Sequence, residues 1–119
     1  MEVYPIMTPR TSVFALKDSM KLSEVQGILL EKRFSRIPIY KETIDNITGV
    51  INLKTIFQDM LNGDQNVELI TLAQKPIFVY ETLSISALLE QFKTKRTHLA
   101  IVVDEFGGMA GLVTLEDGL

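Results

Sequence analysis

Two stretches of the chain carry the same order of apolar and polar positions. Ser35–Thr55 aligns without a gap on Thr97–Asp117 at a constant offset, which places Gly49 on Gly111. Upstream of this match, residues 21–34 align with residues 83–96 when one residue is skipped. A similarity that recurs at a fixed spacing indicates a tandem repeat of one supersecondary unit.

Periodicity predicts the elements of the first repeat. Apolar residues recur on one helical face at Leu22, Val25, Ile28 and Leu29, whereas β-branched runs on either side of a polar connection indicate a pair of strands. The predicted elements are a strand at Ser12–Leu16, a helix through Leu22–Leu29, strands at Ile37–Tyr40 and Ile47–Leu53, and a helix from near Leu53 to the turn at Asn62–Asp64.

The second repeat follows the same plan. It is predicted to contain a strand at Ile77–Tyr80, a helix from Ser84 to Lys95, strands at Leu99–Val103 and Gly111–Leu115 with a tight connection at Gly107-Gly108, and the start of another helix. A short helix at Val67–Ala73 is expected to link the repeats. Each repeat, at roughly 50 residues, is too short to bury a sufficient core alone. The expected fold is therefore an α/β sandwich of two βαββα repeats, packed sheet to sheet about a pseudo-twofold axis. The expected boundaries are 1–63 for the first repeat, 64–75 for the linker and 76–119 for the second repeat.

Composition excludes several function classes. The 119 residues carry a net charge of −3, which argues against a nucleic-acid partner. The chain has no cysteine and one histidine, His98, so thiolate metal sites and most acid–base dyads are not expected. The N-terminus does not resemble a signal peptide, and apolar runs of around six residues are far short of the roughly 20 that a membrane span needs. Because the chain stops just after a helix begins, we expect it to be a soluble piece of a longer protein.

The end of the second repeat holds the strongest candidate site. Thr114 and Asp117 lie three residues apart where a strand gives way to a helix, on one face of its first turn. In one interpretation they only cap the helix. In the other, Asp117 accepts hydrogen bonds from a cis-diol such as a ribose, while Thr114 meets a sugar or phosphate oxygen. The corresponding residues of the first repeat are Asn52 and Thr55, so that repeat lacks the carboxylate.

Three other segments carry possible chemistry. Arg36 precedes Pro38, and a proline restricts its strand to an edge of the sheet or to a strand start. Arg36 is either a phosphate ligand or a solvated surface cation. The aligned residue of the other repeat is His98. Thr8 is held extended by Pro9, as a ligand contact or merely as part of a loop. Asp104 and Glu105 lie in the second hairpin and indicate either a cation site or a solvated turn.

These motifs together resemble a known family. The paired βαββα repeats, with SRIP in the first and TLED in the second, are similar to a CBS domain pair, or Bateman module. More narrowly, IMTPR, SRIPIY, DNITGVI and AIVVDEFGGMAGLVTLED resemble the CBS pair of the CorC/HlyC hemolysin-like proteins, a group of magnesium and cobalt efflux proteins related to the animal CNNM transporters. The resemblance covers almost the whole chain.

The resemblance implies a regulatory module that binds AMP or ATP, the latter with Mg²⁺. The module would belong to the cytoplasmic part of an inner-membrane protein, would contact the membrane domain of its own parent chain, and would form a homodimer through the CBS pair. Carried over by motif, Thr114 and Asp117 would hold the ribose, the Leu112 backbone and Ile37-Pro38 would flank the adenine, and Thr8 and Arg36 would approach the sugar or phosphates. Thr55 departs from the pattern by replacing an aspartate, so one nucleotide per pair is expected.

Two alternatives to a nucleotide module remain at the level of the sequence. The first is a structural dimerisation module whose cleft holds no ligand. The second, an enzyme, is disfavoured because the sequence contains no nucleophile–base pair, no metal-ligand cluster and no P-loop.

Overall fold

The computed structural model describes residues 1–31 and 34–115. Its elements alternate along the chain in the order expected of two βαββα repeats. The helices are α1 (Leu22–Glu31), α2 (Leu53–Asn62) and α3 (Ile85–Lys95); the strands are β1 (Thr8–Pro9), β2 (Leu16–Lys17), β3 (Arg36–Tyr40), β4 (Ile47–Asn52), β5 (Ile77–Tyr80), β6 (Leu99–Val103) and β7 (Met109–Thr114). Short 3-10 helices cover Tyr4–Ile6, Arg10–Ser12 and Leu69–Leu72. The mixed α/β class predicted from the sequence is confirmed.

The chain divides into two compact units. One, the first-repeat unit, is Phe14–Lys75; the other, the second-repeat unit, combines Met1–Val13 with the chain from Pro76 onward. The N-terminal segment therefore packs with the repeat that is more distant from it in sequence, so the compact units do not follow the order of the chain.

The first-repeat unit contains a three-stranded sheet in the order β2-β3-β4, with α1 and α2. Strands β2 and β3 are parallel, and β3 and β4 are antiparallel. Apolar side chains from one face of this sheet, from both helices and from the 3-10 helix Leu69–Leu72 form its core: Leu16, Leu22, Val25, Leu29, Ile37, Ile39, Ile51, Ile56 and Leu69.

The second-repeat unit contains a four-stranded sheet in the order β1-β7-β6-β5, with α3. The N-terminal segment supplies the edge strand β1, which is antiparallel to β7. Its core is a separate cluster: Val3, Val79, Leu88, Phe92, Ala100, Val102 and Val113.

Local chemistry fixes the helix ends. Ser84 caps α3 by accepting a hydrogen bond from the Ala87 N–H at 3.2 Å, and Asn52 caps α2 by accepting one from the Lys54 N–H at 2.9 Å. At the start of α1, the Glu24 carboxylate accepts from the Lys21 N–H at 2.9 Å, the reciprocal half of a capping box. No helix among the described residues has the length and apolar character needed to cross a bilayer.

The strand predicted at Ser12–Leu16 is wrong. Arg10–Ser12 form a 3-10 turn, and strand pairing begins at Leu16, which lies opposite Ile39. The turn occurs where the chain leaves the second-repeat unit for the first-repeat unit, between Val13 and Phe14. Most of the predicted strand therefore falls on the crossing between the two units, and only its last residue, Leu16, joins a sheet.

The gapless alignment of the two repeats is also wrong by one position in β3 and β6. Arg36 lies opposite Asn52, and the corresponding pair of the second repeat is Leu99 and Thr114. The difference in residue number between corresponding positions of the two repeats is thus larger by one before the hairpin than after it. The first hairpin connection is 41–46, and the second, 104–108, is shorter by one position. The skipped residue therefore lies in the hairpin and not upstream of the strand.

Candidate functional site

Four side chains form a row across the sheet of the second-repeat unit. Thr8 lies opposite Leu112, Leu112 opposite Ile101, and Ile101 opposite Phe78. Directly paired residues project from the same face of a sheet. The row therefore joins a hydroxyl at the β1 edge to three apolar side chains on one continuous face.

Thr114 extends this face along β7. It lies two positions beyond Leu112 and therefore on the same side, and it pairs with Leu99. The next residue, Leu115, donates its N–H to the His98 carbonyl at 2.8 Å. Asp117, predicted as the ribose ligand, lies outside the described residues.

The opposite face of the same sheet packs into the core. Val79, Ala100 and Val113 belong to the cluster that also contains Leu88 and Phe92 of α3. The row is thus on the face turned away from α3. Ile101 and Leu99 are buried on this face, whereas Leu112 is partly exposed. Two hydroxyls beside Leu112 suit a nucleoside, since a sugar requires hydrogen-bonding oxygens and a base requires an apolar surface.

The remaining predicted site residues belong to the first-repeat unit. Arg36, Ile37 and Pro38 are consecutive in β3, and their side chains alternate between the two faces. Ile37 is 1% exposed and lies in the core. Its side chain is therefore committed to packing, and Arg36 shares the other face with Pro38.

Pro38 lies in the middle strand of its sheet, contrary to the expectation of an edge strand or strand start. It is paired with Val50, whose N–H and carbonyl both bond to Gln74 at 2.9 Å. The Pro38–Val50 pair is therefore a non-hydrogen-bonded one, and the proline nitrogen points away from β4. On that side the strand β2 pairs with Ile39 and Tyr40. The missing N–H is tolerated because β2 begins at Leu16, level with Ile39, and has no residue paired with Pro38.

In the acidic hairpin 104–108, the carboxylate of Asp104 has a structural role. Asp104 accepts hydrogen bonds from the N–H groups of Phe106 and Gly108, both at 2.9 Å. Gly107 has a φ of +83°, a conformation that glycine adopts without strain. Among the described residues, no three acidic, histidine or cysteine side chains are grouped to hold a metal ion.

The family is decided by direct comparison. The CBS domain matches this chain twice, over residues 3–62 and 68–119. The chain belongs to the CBS-domain family. The CBS pair resemblance drawn from SRIP, TLED and the long motif of the second repeat is thereby confirmed.

Similar proteins include an efflux protein and a hemolysin. This CBS pair is 34% identical over 115 residues to the magnesium and cobalt efflux protein CorC of Escherichia coli, a match that covers 97% of this chain and 39% of CorC. It is 38% identical over 118 residues to hemolysin C of Brachyspira hyodysenteriae, covering 98% of this chain and 42% of the relative. The chain thus spans less than half the length of these relatives.

Similar solved structures are also CBS domains. The CBS domain of a bacterial CNNM/CorC family Mg²⁺ transporter, solved in complex with ATP, is 39% identical and superposes with a TM-score of 0.93. The alignment covers 99% of this chain and 84% of that one.

The structure shows which residues share the face of the candidate site, which the sequence did not identify. Ile101, Phe78 and Leu99 lie on the face of Thr8 and Thr114, and of these Ile101 and Leu99 are buried. The run LAIVV in β6 is buried almost throughout and shows no alternation that would assign its faces. Strand register supplies that assignment. It also corrects the counterpart of Arg36, which is Leu99 and not His98.

Proposed function

We propose that this CBS pair is a regulatory module that binds one adenine nucleotide, AMP or Mg-ATP, and that it belongs to a membrane-bound magnesium/cobalt efflux or hemolysin-like protein. The supporting observation is the row in the second-repeat unit. Its pairing brings Thr8, from the start of the chain, next to Leu112, with Thr114 on the same face. All three are residues that the sequence motifs single out as nucleotide contacts.

Each of these residues has a defined part in the proposed site. The hydroxyls of Thr8 and Thr114 bind sugar or phosphate oxygens, and Asp117 accepts hydrogen bonds from the ribose diol. The base lies against Leu112 and the neighbouring apolar surface. Arg36 of the first-repeat unit binds the phosphates, for which its planar fork of donors is suited. The Mg²⁺ of Mg-ATP neutralises part of the triphosphate charge, and we assign no protein ligand to it.

The action of the ligand is a shift in populations. A nucleotide changes a conformational equilibrium only if it binds one state more tightly than another. We place that difference in a homodimer of the CBS pair, whose nucleotide-bound form is sensed by the membrane domain of the parent chain on the cytoplasmic side. No chemical step is assigned to the module, and it is not an enzyme.

The alternative is a purely structural dimerisation module. Thermal unfolding with AMP, ADP and ATP, each with and without Mg²⁺, distinguishes it from the nucleotide-binding module. A ligand that binds the native state at 100 times its Kd stabilises it by about 2.7 kcal/mol. We expect AMP, Mg-ATP or both to raise the Tm by several degrees. An unchanged Tm with every nucleotide at millimolar concentration would favour the structural module.

A further inference from the structure

The Thr8 carbonyl of β1 occupies the space that a side chain at Gly111 of β7 would need. Pro9 is paired with Gly111, and a Cβ built on Gly111 would overlap the Thr8 carbonyl oxygen and stand 3.1 Å from the Met7 Sδ. Carbon and oxygen atoms in contact lie about 3.3 Å apart or more. Since the obstacle is a backbone carbonyl, any side chain at Gly111 would displace the strand that carries Thr8.

A second contact secures the same segment. The Arg10 Nη1 donates a hydrogen bond to the Met109 carbonyl at 3.1 Å. Arg10 directly follows β1, and Met109 is the first residue of β7. Strand β1 has only two residues, so its own ladder supplies few bonds. Upstream, the N–H groups of Val3 and Tyr4 bond to the carbonyls of Leu83 and Glu81, and Val3 is buried in the core. The Arg10 bond and the space left at Gly111 act at β1 itself, beyond these anchors.

We infer that Gly111 and Arg10 are positioning residues of the nucleotide site, and that nucleotide binding is coupled to the seating of the N-terminal segment, by which we mean the pairing of β1 with β7. The inference rests on the proposed function. Thr8 presents its hydroxyl beside Leu112 and Thr114 only when β1 is seated. If seating is required for binding, the apparent affinity falls by the fraction of molecules that are seated, and bound nucleotide in turn holds the segment in place.

The first repeat supplies a matched control. Gly49 is the counterpart of Gly111, and a Cβ built there would stand 2.7 Å from the Ala73 Cβ and 3.3 Å from the Gln74 carbonyl oxygen. Gln74 pairs with Val50 as Thr8 pairs with Leu112. Gly49→Ala thus imposes a clash at the corresponding place in the unit that lacks Thr8, a milder one because the nearest atom is the Ala73 side chain and not a backbone carbonyl.

The experiment compares the full chain with Gly111→Ala, Gly49→Ala and Arg10→Gln. Calorimetric titration with AMP and with Mg-ATP gives the affinities, and hydrogen exchange of the peptide 5–13 reports the seating of β1. We expect Gly111→Ala to weaken binding about tenfold or more and to speed exchange in 5–13, with Arg10→Gln about threefold to tenfold weaker. Gly49→Ala should remain within about threefold of the parent. In the parent, nucleotide should slow exchange in the same peptide.

The outcomes are distinguishable. If the parent binds no adenine nucleotide, the proposed function fails and this inference fails with it. If the parent binds and Gly111→Ala binds equally well, or if Gly49→Ala loses as much affinity as Gly111→Ala, the coupling alone is overturned. Arg10→Gln introduces no clash, so it tests the coupling even if Gly111→Ala fails to fold. Unchanged nucleotide affinity of Arg10→Gln together with faster exchange in 5–13 would refute the coupling.

Discussion

Arg36 lies directly opposite Asn52 in the β3–β4 pair, whereas the same place in the second repeat pairs Leu99 with Thr114. The two CBS repeats thus share a strand register and differ in the side chains presented on it. The first repeat has a cation at the start of β3, and the second repeat has an aliphatic residue at the start of β6. This difference underlies the asymmetric roles that we propose for the two repeats.

Replacing Arg36 with Gln should weaken the binding of phosphorylated ligands. Hydrogen bonds to charged groups contribute about 1.5–3 kcal/mol, so a loss of about tenfold or more is expected for AMP and for Mg-ATP. Adenosine, which has no phosphate, should bind the variant as it binds the parent. Calorimetric titration with the three ligands measures both effects.

The matched control for this variant is Arg96→Gln, which removes the same charge at the exposed end of α3. It should leave all three affinities unchanged. A loss of adenosine affinity equal to the loss of AMP affinity in Arg36→Gln would contradict a phosphate contact.

Asp117→Asn tests the ribose contact that the resemblance assigns. The amide oxygen is a weaker acceptor than a carboxylate for the two hydroxyls of a cis-diol, so affinity for AMP should fall by about tenfold. Glu90→Gln, the same chemical change on an exposed residue of α3, should have no effect. Equal AMP affinity in the two variants would remove Asp117 from the site.

The cap on α2 can be tested without reference to a ligand. Asn52→Ala removes the side chain that accepts from the Lys54 N–H, and should lower the free energy of unfolding by about 1 kcal/mol. Asn52→Asp retains a cap oxygen and should preserve most of that stability. Urea unfolding of the two variants measures the difference, and an unchanged midpoint in Asn52→Ala would show that the bond contributes nothing.

Gly27→Ala should stabilise the protein. Gly27 is exposed in the interior of α1, and a Cβ built on it meets no atom within 4 Å. Alanine restricts the unfolded chain more than glycine does, which should add about 0.5–1 kcal/mol to the free energy of unfolding. Chemical denaturation provides the value; a decrease would mean that this face of α1 has a contact in solution that a methyl group disturbs.

Local sequence patterns suffice for the elements whose ends carry their own signals. The sequence predicts a helix from Ser84, and Ser84 proves to be the cap of α3; strands β5 and β6 have the predicted bounds. Helix α2 likewise ends at Asn62, before Gly63. In each case a capping residue, a glycine or a β-branched run decides the structure within a short stretch of the chain.

The register between the repeats is not available from such patterns. A difference of one position in hairpin length leaves the apolar residues of β3 and β6 aligned in either offset, because both strands are apolar at nearly every position. The gapless alignment consequently assigns His98 to the place of Arg36. Only the pairing of Leu99 with Thr114 locates the skipped residue in the hairpin.

The candidate site depends on a contact between two residues that are far apart in the sequence. Thr8 and Leu112 are paired across almost the whole length of the chain, and no local pattern around either residue indicates the other. The family resemblance points to both residues, whereas their proximity is a property of the fold. The same holds for Gly111, whose lack of a side chain is explained only by the carbonyl oxygen that lies against it.

The most direct test of the account is a nuclear magnetic resonance titration of the full chain with AMP, in which backbone amide shifts report where the ligand lies. Thr8 and Thr114 of the second-repeat unit should show large saturable shifts at one nucleotide per chain. Their counterparts, Gln74 and Thr55 of the first-repeat unit, should change little. Saturable shifts centred on Gln74 and Thr55, or no saturable shift at Thr8 and Thr114, would contradict a nucleotide site in the second repeat.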